Sequence, residues 1–189
     1  MYRTQIEFLN KITKYFPNTL FFSTGTEFFL KIPHEQNWNI LFFLKNHSYS
    51  LYQQLIDLSF VDYPERKLRF EIFYNLLSVR YNNRLTILSS LSEDTYMDSV
   101  TSIYPSAGWY EREAWDMFGV FFKNHPDLRR ILTDYGFKGH PLRKDFPMTG
   151  YIEVRYDDFN KRIVYEEVSL TQEYRVWTLD NNWNSVKVD

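Results

Sequence analysis

Hydrophobic and polar positions recur with two different periods along this chain, and the switches between them mark its elements. Ile6, Leu9, Ile12 and Phe16 fall near helical spacing with Lys11 and Lys14 between them, which predicts an amphipathic helix over residues 4–16, ended by Pro17-Asn18. Two short aromatic runs, Leu20 to Ser23 and Glu27 to Ile32, flank Gly25 and predict a hairpin. A second helix is expected after Pro33, through Trp38, Leu41 and Leu44.

From Leu55 to Leu91 the period shortens to two. Three aromatic or β-branched runs, broken at Tyr63-Pro64 and Asn82-Asn83, predict consecutive antiparallel strands. In the middle run Phe70, Ile72, Tyr74 and Leu76 share one face while Phe73 and Leu77 share the other, so both faces are expected to be covered. Ser106 is placed to cap a helix with Tyr110, Ala114 and Met117 or Phe118 on one stripe, closed by Gly119. An α+β domain over residues 1–119 is the expectation. Residues 120–189 then read as a long loop, punctuated by Pro126, Gly136, Gly139, Pro141, Pro147 and Gly150, and an extended C-terminal arm; loops of this length usually bind something.

Charge sharpens this division. The whole chain of 189 residues carries a net charge of only -2, which gives no pull toward nucleic acid or anionic lipid. Residues 120–147, however, hold six basic against three acidic side chains, and residues 150–189 hold five against eight. The two segments are therefore expected to face each other or complementary neighbours. The alternating pieces Tyr151 to Tyr156 and Arg162 to Val168 suit addition to a partner's sheet edge.

Composition narrows the chemistry. With no cysteine, the chain offers no thiolate to an iron–sulfur cluster or a Cys-type zinc site, and no disulfide. No apolar run approaches the roughly 20 residues of a membrane-spanning helix. The first residues lack a secretory apolar core and an Arg/Ser-rich presequence, and read as a mature end. Aromatics at 20% beside only two alanines, Ala107 and Ala114, suit an A/T-rich coding genome and point to an organellar gene.

Several constellations invite a chemical reading. Glu111, Arg112 and Glu113 precede Asp116; on a helix the two glutamates do not face each other, whereas Arg112 and Asp116 form an i, i+4 pair, so an ion-paired face is preferred to a carboxylate dyad. His125 and His140 lie fifteen residues apart across a Gly/Pro-rich loop, a spacing that favours hydrogen-bonding or interface histidines over metal ligands. Arg129, Arg130, Arg143 and Lys144 have the chemistry to clamp phosphate, yet Asp127, Asp134 and Asp145 sit close by, so a salt-bridged loop or a partner's acidic groups is favoured. Gly-rich phosphate loops and the GxSxG elbow are absent, which disfavours direct NADH binding. An RNA-binding sheet lacks its glycine-aromatic signature. A hydrolase or transferase built on Glu111, Glu113 and His125 is the rival from another class.

The stretch TSIYPSAGWYEREAWDMFGVFFKNHPDLRRILTDYGFKGHPLRKDFPMTGYIEVRYDD, from Thr101 onward, closely resembles one subunit family of NADH:quinone oxidoreductase, respiratory complex I, the family called subunit nine where mitochondria encode it. ERE-x-x-DMF, His125, Arg129, Ile131-Leu132 and GHPLRKDFP carry the likeness, with DYPERKLRFEIFYNLLSVRYNNR upstream. The resemblance implies a mixed or antiparallel four- to five-stranded sheet with flanking helices, then an arm on peripheral-arm neighbours, chiefly the quinone-pocket subunit and the iron–sulfur cluster subunits. It implies a scaffold with no cofactor or catalytic residue of its own, serving electron transfer from NADH to ubiquinone. Glu111, Arg112, Glu113, Asp116, His125, Arg129, Arg130, His140, Arg143, Lys144 and Asp145 become candidate partner or loop-locking contacts. The matrix side of the mitochondrial inner membrane is the expected location; chloroplast or hydrogenase-complex relatives, or the cytoplasmic face of a bacterial membrane, are the alternatives.

Overall fold

A computed structural model of the chain describes residues 11–25 and 27–175. Residues 11–15 are helical, and Ile12 on that turn is fully buried, while Ile6 and Leu9 of the predicted first helix lie outside the described residues. Strands β1 (Leu20–Thr24) and β2 (Glu27–Pro33) pair antiparallel around Gly25, whose φ of 61° suits a residue without Cβ. A short 3₁₀ turn, His34–Gln36, leads into helix α1 (Asn37–Asn46).

The period-two region folds as expected into β3 (Gln54–Asp62), β4 (Phe70–Ser78) and β5 (Asn83–Leu91), a continuous antiparallel meander. The meander joins the first hairpin through a parallel pairing of β2 with β5, giving a five-stranded mixed sheet in the order β1-β2-β5-β4-β3. Leu30, Ile32, Leu58, Phe60, Phe70, Ile72, Tyr74, Leu76 and Ile87 form its buried face. Over them lie Ile40, Leu41 and Leu44 of α1 and, later in the chain, Ala114, Met117 and Phe118.

The opposite face departs from expectation. Phe73 and Leu77 are only partly buried. Largely antiparallel sheets tolerate one such face. Leu88, the cross-strand partner of Phe73, is nevertheless shielded there.

After β5, the two-residue strand β6 (Met97–Asp98) precedes helix α2 (Ala107–Phe118). Ser106 stands at its N-terminal position but makes no side-chain cap, contrary to the sequence reading: its backbone is already helical, and the amides of Ala107 and Gly108 bond the carbonyls of Tyr104 and Pro105 at 2.9 and 3.3 Å. Gly119 closes the helix as expected, with φ of 78° and its amide on the Trp115 carbonyl at 3.0 Å. Strand β7 (Phe122–Lys123) then returns parallel to β6. Residues 124–146 are irregular yet belong to this first compact unit, which ends at Phe146.

The second unit begins at Pro147. Its strands β8 (Ile152–Asp157) and β9 (Arg162–Glu167) pair antiparallel with each other as a two-stranded ribbon. No helix among the described residues is long and apolar enough to cross a membrane.

Candidate functional site

Helix α2 sends its four charged side chains to four different places. Glu111 is fully buried, taking the Ser99 hydroxyl at 2.6 Å and the Val100 amide at 2.8 Å. Burial pushes its carboxyl up to about 7, and those two hydrogen bonds only partly offset the effect. His125 lies beside it, Nε2 3.8 Å from Oε2, with a side chain almost fully enclosed. Its Nε2–H donates to the Gly108 carbonyl at 3.2 Å while Nδ1 accepts the Asp127 amide at 3.1 Å.

Arg112 does not pair with Asp116, which corrects the i, i+4 expectation. Its guanidinium donates instead to the carbonyls of Arg129 and Arg130 at 3.1 and 3.2 Å and lies over the Trp109 ring. The reason is that Asp116 points inward onto backbone donors: its Oδ2 accepts the amides of Ile131, Leu132 and Thr133 at 3.1, 2.7 and 2.9 Å. The Thr133 hydroxyl at 2.6 Å and Arg130 at 3.5 Å reach Oδ1. Burial raises the Asp116 carboxyl, but these hydrogen bonds outweigh it and hold the group below the usual carboxylate range. Glu113 is exposed.

The later basic residues fasten the loop from the other end. Arg143 donates to the Phe118 carbonyl at 2.6 Å and to Glu93 at 2.5 Å. His140 donates from Nδ1 to the Asp116 carbonyl at 2.9 Å; burial, with help from Arg143 and Arg130, lowers its pKa and keeps the imidazole neutral. Lys144 contributes its backbone amide, at 2.8 Å, to Asp62, and its side chain is exposed. Asp145 meets Arg69 at 3.0 Å, and Arg129 pairs with Asp127 at 2.8 Å on the surface.

Sequence reading missed the residue at the centre of this end. Asp62, buried at the end of β3, takes Arg69 through both oxygens at 2.7 and 2.9 Å. Arg69 also reaches Glu93 at 3.1 Å. The signal was available: Asp62 pairs with Phe70 across the β3–β4 turn, which puts the next-door Arg69 within reach.

Chemically, these groups bind chain to chain. Glu111 is buried and Glu113 exposed, so they share no pocket, and His125 is committed at both nitrogens. Among the described residues no group of three or more His, Cys, Asp or Glu side chains could hold a metal ion.

Comparison with known proteins places this arrangement. The family described as respiratory-chain NADH dehydrogenase, 30 Kd subunit, matches residues 30–152, a span that contains most of β2, strands β3 to β5, α2 and the loop with its locks. The chain belongs to that family and is thus a subunit of respiratory complex I, the NADH:ubiquinone oxidoreductase. Among its relatives, NADH dehydrogenase [ubiquinone] iron-sulfur protein 3 of Beta trigyna is 57% identical over 162 residues, covering 86% of this chain and 80% of that protein. NADH-ubiquinone oxidoreductase subunit 9 of Reclinomonas americana is 57% identical over 145 residues, 77% of this chain and 71% of that one. A chain from the structure of an archaeal membrane-bound sulfane sulfur reductase shares the fold, with a TM-score of 0.67 at 24% identity over 77% of this chain and 86% of its own.

The first relative's name speaks of iron and sulfur. The residues here do not fit a thiolate-held cluster, since the chain contains no cysteine.

Proposed function

We propose that the chain is a scaffold of the peripheral arm of complex I on the matrix side of the mitochondrial inner membrane. The folded domain and the segment from Pro147 onward hold neighbouring subunits, chiefly the one forming the quinone pocket and those bearing iron–sulfur clusters, so that electrons pass between groups the neighbours carry. Its contribution is position.

The observation that supports this most is the β8–β9 ribbon. Val154 faces Tyr165 and Tyr156 faces Ile163 in register, with Ile152 next along the same side, and all five are more than half exposed. The reverse side is charged, with Arg155 bound to Glu166 at 2.6 and 2.8 Å. A two-stranded ribbon alone is marginal in water. One with an apolar side, interrupted where Glu167 faces Ile152, and a mostly charged reverse is built to lie on another surface. Exposed Glu113 and Arg129, and the Lys144 ammonium, are further contacts in this reading.

Placing charge on the apolar side tests it. Val154→Lys with Tyr165→Glu should leave the sheet domain folded, since the changes are confined to the second unit, yet sharply reduce the amount of peripheral arm recovered with this subunit on native gels. Full incorporation of that variant defeats the proposal.

A further inference from the structure

Glu111 is a buried acid that loop-locking leaves unexplained. Asp116 and Asp62 each receive an arginine, whereas among the described residues the nearest basic group to Glu111 is His125, at 3.8 Å. Both nitrogens of that histidine are engaged elsewhere: Nδ1 accepts the Asp127 amide and Nε2–H donates to the Gly108 carbonyl.

The other titratable groups nearby give no help to an anion. Tyr74 of β4 has its hydroxyl bonded by the Asn37 amide at 2.8 Å, and both Glu111 and Asp98 of β6 raise its pKa through their charges, after burial itself. Arg112, the next residue on α2, is turned to the carbonyls of residues 129 and 130. Among the described residues no arginine or lysine pairs with Glu111, and a buried carboxylate without such a partner is among the costliest arrangements in a protein interior.

The carboxyl also joins three segments. It holds Ser99 and Val100, just after β6, and it sits on α2. Beside it, His125 ties down the chain after β7, whose ladder with β6 is only two residues long. We propose that Glu111 is a proton-operated latch: with its proton in place it closes the β6–β7 end against α2, and when the proton leaves to solvent that end loosens, freeing the root of the loop that carries Arg129 and Arg130.

Amide hydrogen exchange of the full chain tests this, with rates corrected for intrinsic exchange. The closed state holds the proton up to about pH 7 and the open state releases it near the ordinary 4.5. One proton per opening then makes opening at Val100 and Asp127 roughly tenfold more frequent per pH unit between those values, levelling off above, by linkage. Glu111→Gln, which keeps an acceptor for the Val100 amide and has no proton to lose, should show no such slope. Equal slopes in the two proteins overturn the latch. Should the variant not fold, the wild-type carboxyl decides by carbon NMR: a midpoint near 7 with His125 neutral supports the latch, and a midpoint at or below 4.5, or an imidazolium at His125 near neutral pH, refutes it.

Discussion

Thr133 gives both its hydroxyl, at 2.6 Å, and its amide, at 2.9 Å, to the carboxylate of Asp116 on the helix that precedes it. With the amides of Ile131 and Leu132 on the same oxygen, one buried side chain fixes three successive peptide units of an otherwise irregular stretch. Arg112 holds the two carbonyls just before them. The helix thus supplies acceptor and donors in the order that the loop's backbone requires.

Replacing Asp116 by Ala should cost about 3 kcal/mol, because it strands backbone donors and leaves Arg130 without its buried partner. Urea denaturation monitored by tryptophan fluorescence measures it. The isosteric Asp116→Asn should be less damaging, since its carbonyl oxygen can keep the three amides and its NH2 can donate to the Thr133 hydroxyl, losing chiefly the Arg130 contact; a loss below about 0.5 kcal/mol for Asp116→Ala would show that water replaces the carboxylate.

Gly119 offers a test with an internal control. A Cβ there would lie 2.6 Å from His140 Nε2 and 2.8 Å from Arg143 Nη2, on a residue with φ of 78°. Gly136 has almost the same φ, 77°, with nothing within 4 Å. Gly136→Ala should therefore cost only the left-handed backbone penalty of about 1 kcal/mol. Gly119→Ala should cost at least about 2 kcal/mol more and displace the loop end, visible as a shifted His140 resonance. Equal melting temperatures for the two variants would mean that His140 and Arg143 yield freely.

Much of this was legible in the chain. Strand runs and helices follow from periods of two and of about 3.6, and glycine at the end of α2 follows from the left-handed closure. Three features were not. The parallel pairing of β2 with β5 joins segments far apart in sequence, and period alone does not choose partners. Asp116 was assigned to Arg112 because side-chain spacing on a helix is visible, while the needs of backbone amides seventeen residues later are not. The open sheet face escaped because Phe73 and Leu77 record apolar character, whereas coverage depends on where the helices land.

Asp62 and Arg69 give the last prediction. The carboxylate is buried and receives two guanidinium hydrogen bonds as well as the Lys144 amide, while Arg69 also reaches Glu93 and Asp145. Arg69→Met should destabilise the domain by about 3 to 5 kcal/mol, since Asp62 is left buried and unpaired; adding Asp62→Leu should recover part of that loss, and a strictly additive double variant would show that the pair is not coupled. The pH dependence has a definite sign. Burial raises the Asp62 carboxyl, but Arg69's hydrogen bond, the Lys144 amide and the charges of Arg69 and Arg143 bring it below its ordinary 3.8. A carboxyl depressed by folding stabilises the folded state at pH above its unfolded value, and the contribution disappears as pH falls through the folded one. Wild-type stability should therefore drop as pH is taken below about 4, and the Asp62→Leu, Arg69→Met variant should lose less over the same interval in parallel urea titrations.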